Sequence, residues 1–491
     1  MDIGALIRQS AARFGDAVAL ECEGRTVTFR EFDDATDRIG NRLLAEGLLP
    51  GDRVAVMLPN GIECLATYYA LAKSGLVRVP LNERDTEEQN SYKLDHAGCR
   101  GLIHAGNRPP GGESLIFEAD TSWLDKWAWD GPSTPCYMPR DPEAAYRLGY
   151  TGGTTGKPKA VVLTMRGEHA EITNFLIDLM PDIGPDDTML HAAPIIHASG
   201  AFFLPSFSRG ARTLIMTKFD AGRWIKEIQE SKASYTFLVP TMIALILDTP
   251  GVEEADYSAL RRLCWGASPI PPSVAQRAQQ VFGKVLTQAY GQSEAPMAVT
   301  VLQPDEHDRV GSAGRAFTLM EVGIMDDYDQ MLAPGEVGEV VARGQLLMKG
   351  YWEQPELTAE TIRNGWLHTG DLGYRDEQGF IYLVDRKNDL IITGGSNVYP
   401  REVEDVLNDH PAVREAAVVG LPDDTWGEVV HAVVACRSEV EIQELLDFVA
   451  GQVPKYKRPR TIEIWDELPK SPAGKIMRRT VKEMELQRLA K

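Results

Sequence analysis

The 491-residue sequence predicts an α/β fold. A large N-terminal domain of doubly wound α/β subdomains plus a β-rich subdomain is followed by a small, mobile α+β C-terminal domain. Three observations predict this. Between residues 187 and 290 apolar strand candidates alternate with helix-length stretches, the pattern of a parallel sheet covered by helices. From Gly311 to Arg386 short alternating runs cut by glycines take over. After Asp385 the texture changes again, and about 100 residues remain, enough to fold as a unit.

The elements follow in order. Arg53–Leu58 is expected as a strand. Ile62, Leu65, Ala66, Tyr69 and Ala70 then recur at helical spacing, and Val77–Leu81 is the next strand, completing a βαβ unit. Asn107–Gly112 and Gly131–Pro142 are rich in Pro and Gly and are expected as surface loops. Strands are expected at Thr188–Ala193, Thr213–Thr217, Tyr235–Val239, Leu260–Trp265 and Val285–Tyr290, with helices at Arg223–Lys232 and Pro272–Val281. Glu339–Ala342 and Phe380–Val384 are strands of the β-rich part. Beyond it, Arg401–Asn408 is a helix turning Val403, Val406 and Leu407 inward. Glu415–Val419, Val429–Ala435 and Thr461–Ile464 are strands, and Glu441–Ala450 is a helix. The expected domains are 1–385 and 390–491, with a hinge at 386–389.

Composition removes several function classes. Lys and Arg number 51 against 71 Asp and Glu, a formal net charge of −20. Proteins that neutralise phosphates along nucleic acid or on an anionic lipid surface are expected to be basic. Six cysteines stand at 22, 64, 99, 136, 264 and 436, with no CxxC pair, so neither a zinc site nor a disulfide framework is expected. The N-terminal MDIGALIRQS lacks the basic and apolar regions of a signal peptide. No run of about 18 apolar residues is present. The expectation is a cytoplasmic monomer or homodimer with no nucleic-acid partner and no integral membrane segment.

The most informative segment is Tyr150-Thr-Gly-Gly-Thr-Thr-Gly-Lys-Pro-Lys159, which follows the short apolar strand Tyr146–Gly149. Gly152, Gly153 and Gly156 let backbone N–H groups converge on an anion. Thr151, Thr154 and Thr155 add hydroxyl donors, and Lys157 and Lys159 add charge. The segment suits a polyphosphate. It is not a Walker A loop, because Thr151 stands where that pattern needs Gly and Pro158 follows the lysine.

YTGGTTGKPKAV resembles the phosphate loop of the acyl-adenylate-forming superfamily, which includes acyl-CoA synthetases, amino-acid adenylation domains and beetle luciferases. Other motifs of that family appear in order. His191-Ala-Ala-Pro-Ile-Ile-His197 resembles the region of the acyl-site gate, and Gln288-Ala-Tyr-Gly-Gln-Ser-Glu294 the YGxTE motif. Trp366-Leu-His-Thr-Gly-Asp-Leu-Gly373 resembles the TGD motif. Asp385–Pro400 resembles the hinge and its following loop, and Pro469-Lys-Ser-Pro-Ala-Gly-Lys475 the C-terminal lysine motif. The resemblance covers nearly the whole chain. It implies ATP-dependent activation of a carboxylic acid to acyl-AMP, with release of pyrophosphate, and then transfer of the acyl group to coenzyme A.

That chemistry brings anion to anion, so the site needs phosphate donors, a divalent cation, a nucleoside grip and a mobile cation at the reacting centre. The resemblance implies the following roles. Thr151–Lys159 hold the ATP phosphates. Glu294 contacts Mg2+, a hard ion suited to carboxylate and phosphate oxygens. Ser293, where the family usually has Thr, meets the α-phosphate. Tyr290 lies on the adenine, with Ala267, Ser268, Ala289, Gly291 and Gln292 around the nucleotide. Asp371 accepts from the ribose hydroxyls, and Arg386 reinforces that end. Lys475 is the catalytic lysine of adenylation, and His197 is an aromatic gate. The C-terminal domain then rotates about Asn388, and the loop Thr393–Asn397 replaces the lysine. Gly394, Gly395 and Ser396 line the coenzyme A tunnel. Three positions depart from the family pattern: Asn388 at the hinge, Gly153 for a loop Ser, and Ser396 for a common Glu.

Amino-acid-activating relatives hold the α-ammonium with an Asp after the gate. Here His197–Leu204 contains no acidic residue, which disfavours an amino acid. Acetate-type relatives close the pocket with Trp where this chain has Gly291. The expected lining is Phe202, Phe203, Val239, Pro240, Met242, Gly266, Ala267, Ile270, Gly291 and Pro296, suited to a fatty, aromatic or ring-derived acid. The chain runs sixteen residues past Lys475 without a carrier-like segment, so coenzyme A is the expected acceptor. The alternatives are an acyl-AMP ligase loading a carrier protein and a non-catalytic nucleotide-binding regulator of the same fold.

Overall fold

The computed structural model describes residues 3–106, 115–118, 124, 128–138, 140–151, 158–470 and 476–489. It has the mixed α/β architecture expected. Its contacts divide the chain into two compact units, Met1–Val322 with Ala342–Leu367, and Gly323–Val341 with His368–Lys491. This division takes the strand Ile381–Arg386 with the C-terminal unit, rather than falling at residue 386. Packing density and freedom to turn are different properties, and the expected 386–389 hinge concerns the second.

The first unit holds two sheets. One runs in the order Leu115–Glu118, Gly101–His104, Arg53–Met57, Val77–Pro80, Ala145–Thr151, Lys159–Thr164 and Gly350–Tyr351. The other is parallel from Val18–Cys22 through Arg212–Ile215, Thr188–His191, Tyr235–Leu238, Arg262–Gly266 and Leu286–Gln292. It turns antiparallel at Ala295–Leu302.

Local sequence explains these elements. Tyr235–Leu238 is buried along its whole length, as an apolar run at the centre of a parallel sheet must be. The helix Ala221–Ser231 before it starts where Asp220 accepts from the Arg223 N–H at 2.7 Å, an N-cap. Its buried face is Trp224, Ile225 and Ile228, and Lys232 ends it in a left-handed conformation, φ 52°. Burying each of those side chains contributes about 1.5–3 kcal/mol.

The second unit contains the strands Ile381–Arg386 and most of Gly338–Arg343 and Trp366–Arg375, and a five-stranded sheet. In the latter, Val413–Asp423 pairs antiparallel with Gly427–Cys436, which also pairs in parallel with Thr461–Trp465. Successive side chains on Val413–Asp423 enter different clusters. Val418 packs with Val403, Leu407, Leu445 and Val449 of the helices Pro400–Asn408 and Ile442–Ala450. Val419 packs with Val481 of the helix Arg478–Leu489. The sheet is therefore covered on both faces, by the period-2 logic of strands.

All six cysteines are unpaired. Among the described residues no helix is long and apolar enough to cross a membrane. Asn107–Gly112 lies outside the described residues, and Pro132–Pro135 carries no regular element.

Candidate active site

The two strands that flank the phosphate-loop segment pair with each other. Ala145–Thr151 and Lys159–Thr164 run antiparallel and close on the pair Thr151↔Lys159. Gly152, Gly153, Thr154, Thr155, Gly156 and Lys157 lie outside the described residues. The Lys159 ammonium stands 5.4 Å from the centre of the Tyr351 ring. Tyr351 enters through the short strand Gly350–Tyr351, which pairs with Val161 and Val162. Its hydroxyl donates to Glu294 Oε1 at 2.7 Å. Burial and the Glu294 charge push the phenol well above its ordinary range, so it remains a neutral donor. No motif singled out Tyr351; the signal that could have found it is an aromatic residue directly after Lys349-Gly350, opposite the loop's second strand.

Glu294 comes from a second hairpin. Leu286–Gln292 and Ala295–Leu302 pair antiparallel down to Gln292↔Ala295, which leaves Ser293 and Glu294 as the two-residue turn. The register shifts between Tyr290 and Gln292, where Gly291 alone faces residues 296–299, so the partner strand bulges opposite it. A Cβ on Gly291 would lie 2.6 Å from Met297 N and 2.7 Å from Ala295 O. Gly266 is similarly enclosed, its Cβ position lying 2.3 Å from Ala289 O on the neighbouring parallel strand. Both glycines thus have a backbone reason to be glycine. Ala267 follows Gly266 with φ +72°, a strained conformation of the kind that concentrates at functional sites. Val239, Ala267, Ser268 and Tyr290 to Glu294 all stand at the carboxyl ends of parallel strands, the edge at which α/β sheets take ligands.

The acyl candidates separate. Phe202 packs in the main core against Phe175 at 4.9 Å and Phe237 at 5.3 Å. Met242 belongs to the same core, and Val239 packs against it. Phe203 does not join them. It stacks on Tyr69 at 4.9 Å and meets Phe32 and Phe207 in the N-terminal core. Neighbours in a helical turn point about 100° apart, and the two rings accordingly enter different cores.

The two histidines of the gate segment differ. His197 is exposed, with Nε2 3.3 Å from Asn82 Nδ2. His191 is fully buried, with Nδ1 2.9 Å from Ser199 Oγ. Burial pushes its pKa down to about 4, so at neutral pH it is an uncharged structural group.

In the second unit Asp371 and Arg386 are cross-strand partners, joined Oδ1 to Nε at 2.9 Å. The turn before Asp371 is braced. Thr369 Oγ1 donates to Val340 O at 2.6 Å and accepts from Asp371 N–H at 3.1 Å. Gly370 N–H donates to Glu339 Oε1 at 2.9 Å. Lys387 lies 3.5 Å from Glu339 and 2.7 Å from Asp327. Glu339, a strand residue with no motif of its own, was invisible to the sequence reading. Asn388 lies in the short turn Lys387–Asp389.

Gly394 and Gly395 form the two-residue turn between Thr393 and Ser396, with φ of +55° and +78°. Two positive φ values are the mark of a type I′ hairpin turn. A Cβ on Gly394 would also lie 2.5 Å from the Trp426 ring. Lys475 is outside the described residues, just before the bridge Lys470↔Ile476.

Among the described residues no group of three or more His, Cys, Asp or Glu side chains is placed to hold a metal ion. A lone carboxylate at a turn fits an ion whose other ligands are phosphate oxygens and water, and Glu294 meets that requirement.

Comparison with known proteins gives a consistent result. The family model described as AMP-binding enzyme matches residues 7–352, and that of the AMP-binding enzyme C-terminal domain matches 402–475. The chain is 36% identical over 475 residues to a feruloyl-CoA synthase from Amycolatopsis sp, covering 95% of each protein. It is 40% identical over 481 residues to the medium/long-chain-fatty-acid–CoA ligase FadD8 of Mycobacterium tuberculosis, covering 91% of this chain and 84% of that protein. Its structure matches o-succinylbenzoate CoA synthetase (MenE) from Bacillus subtilis in complex with the acyl-adenylate intermediate OSB-AMP. That match has a TM-score of 0.88 and 31% identity over 97% of both chains.

Proposed function

The chain belongs to the AMP-binding enzyme family and is an AMP-forming acyl-CoA synthetase, and from that premise we propose which of its residues act and which acids it takes. Thr151–Lys159 grip the ATP phosphates through backbone amides, threonine hydroxyls and the two lysines. Glu294 is the protein ligand of Mg2+, which when bound neutralises phosphate charge. Tyr290 lies on the adenine, and Asp371 takes the ribose hydroxyls. Lys475 stabilises the charge that develops as the acid's carboxylate meets the α-phosphate. The chain beyond Asn388 then turns, Lys475 leaves, and the thiol of coenzyme A attacks the acyl carbon of the mixed anhydride near Gly394–Ser396, breaking the acyl–phosphate bond and expelling AMP. His197 gates the path between acid and thiol. The enzyme works in the cytoplasm.

The observation that carries this reading is the line Lys159, Tyr351 and Glu294. A half-buried, neutral phenol bonds the proposed metal-binding carboxylate beside the second strand of the phosphate loop. Water held loosely in place of that phenol would let the carboxylate swing. Preorganisation of this kind is what electrostatic catalysis requires.

The acid carries a sizeable apolar body, aromatic or medium-to-long aliphatic. The lining has no charge to hold an ammonium, and Phe202, Val239 and Met242 are apolar. The names of its relatives point the same way: a feruloyl-CoA synthase, a medium/long-chain-fatty-acid–CoA ligase and a 2-succinylbenzoate–CoA ligase. The test is a panel of ferulate, 2-succinylbenzoate, octanoate, palmitate, acetate and phenylalanine with ATP, Mg2+ and coenzyme A. Pyrophosphate release and acyl-CoA are measured together. Acyl-CoA from at least one of the first four acids, with acetate and phenylalanine poor, is expected. Acyl-AMP that accumulates and passes only to a carrier protein would overturn the choice of acceptor.

A further inference from the structure

Arg478 opens the helix Arg478–Leu489, three residues after Lys475. Its guanidinium is shared among three carboxylates. Nε and Nη2 fork onto Glu404 at 2.7 and 2.5 Å, while Nη1 lies 2.5 Å from Asp385 Oδ1 and 3.0 Å from Asp389 Oδ2. The Asp385 side chain is only 2% exposed and that of Arg478 19%. Bidentate and charge-assisted bonds of this kind are the strong ones.

The partners lie on different sides of Asn388. Glu404 and Asp389 follow it in the chain, as Arg478 does. Asp385 precedes it, on a strand held by the pair Leu372↔Asp385. A backbone rotation at Asn388 carries Arg478, Glu404 and Asp389 together and leaves Asp385 behind. Of the guanidinium's contacts, the one to Asp385 is the contact such a rotation must break. Asp385 Oδ2 also accepts the Arg401 N–H at 2.7 Å, a second bond across the same point.

We propose that the Arg478–Asp385 ion pair is a latch, closed in one of the two arrangements about Asn388 and open in the other, so that Asp385 sets the balance between adenylation and thioester formation. The proposal rests on the rotation at Asn388. A bond made in only one of two states shifts their populations by its full differential strength. Asp385 is a positioning residue, since it reaches the chemistry only through the arm that carries Lys475.

Asp385→Asn tests this cleanly. It keeps an oxygen for Arg401 N–H, gives up the Oδ1 that accepts both Arg478 and the Arg386 N–H at 2.8 Å, and leaves Arg478 paired with Glu404 and Asp389, so no buried charge is stranded. ATP–pyrophosphate exchange reads adenylation, and acyl-CoA from supplied acyl-AMP reads the second step, with ferulate or octanoate as the acid. The two rates should move in opposite directions, their ratio changing about tenfold. Asp389→Asn, whose carboxylate travels with Arg478, should leave the ratio unchanged. An unchanged ratio in Asp385→Asn, or an equal fall in both rates, overturns the latch. If that variant does not fold, Arg478→Lys retains a cation for Glu404 and reads the same ratio. Asn388→Pro, which fixes φ, separates the two ideas. If it abolishes one half-reaction while Asp385→Asn does nothing, the latch alone fails; if it spares both, the rotation fails.

Discussion

The hydroxyl of Tyr351 donates to Glu294 Oε1 across 2.7 Å, although the two residues stand 57 positions apart and Tyr351 belongs to no motif. Tyr351→Phe removes that donor and keeps the ring beside Lys159. A hydrogen bond to a charged group is worth about 1.5–3 kcal/mol. Adenylation by pyrophosphate exchange should fall about tenfold or more, and the Mg2+ needed for half-maximal rate should rise. An unchanged Mg2+ dependence would remove Tyr351 from the site.

Lys475→Ala should split the two half-reactions. Loss of one charge aimed at the developing oxyanion costs about a hundredfold or more. Pyrophosphate exchange should collapse by at least that factor, while acyl-CoA formation from supplied acyl-AMP persists. Equal loss of both would deny the lysine its role in adenylation.

His191 makes stability depend on acid pH. Its folded pKa of about 4 lies below the ordinary 6.5, so the unfolded chain binds the proton more readily. Stability is complete above about pH 6.5 and falls as pH drops toward 4, by about 3 kcal/mol in all. Urea unfolding followed from pH 7 to pH 4 should show this slope. His191→Asn should have a shallower slope, whatever its absolute stability; an equal slope would rule out this histidine as the source.

The glycine pair of the Thr393–Ser396 turn can be told apart by stability. Gly394→Ala places a Cβ 2.5 Å from the Trp426 ring and strains φ at +55°. It should cost about 2 kcal/mol or more, with a change in tryptophan fluorescence. Gly395→Ala meets nothing within 4 Å and should cost only about 1 kcal/mol, the penalty of a left-handed conformation. If clearance for coenzyme A is also required, Gly395→Ala raises the KM for coenzyme A out of proportion to its stability cost.

Legibility varied with the range of the interaction. The strand Tyr235–Leu238 and the helix Ala221–Ser231 could be read because their apolar spacing is local. The hairpin at 145–164 was harder, since a strand that folds back across a glycine loop has the same composition as one that crosses over. The backbone enclosure of Gly291 could not be read at all, because it depends on how Ala295 and Met297 return past it. Glu339, Tyr351 and Arg478 escaped for a related reason. Their partners lie 29 to 93 positions away, and a lone charged or aromatic residue carries no trace of a partner so distant. Phe202 and Phe203 enter different cores one helical step apart, a difference in direction that a list of apolar neighbours does not encode.

The crowding around Gly291 also limits how this chain could diverge. A larger residue there must first displace the peptide of Ala295–Met297, so the acid pocket proposed above is not shortened by one substitution at its glycine. In the proposed acid pocket, selection for a smaller acid meets a backbone barrier at Gly291 and only side-chain packing at Met242, on the helix Pro240–Leu247. Drift in specificity among descendants of this sequence should therefore be recorded first on that helix, with the glycine unchanged.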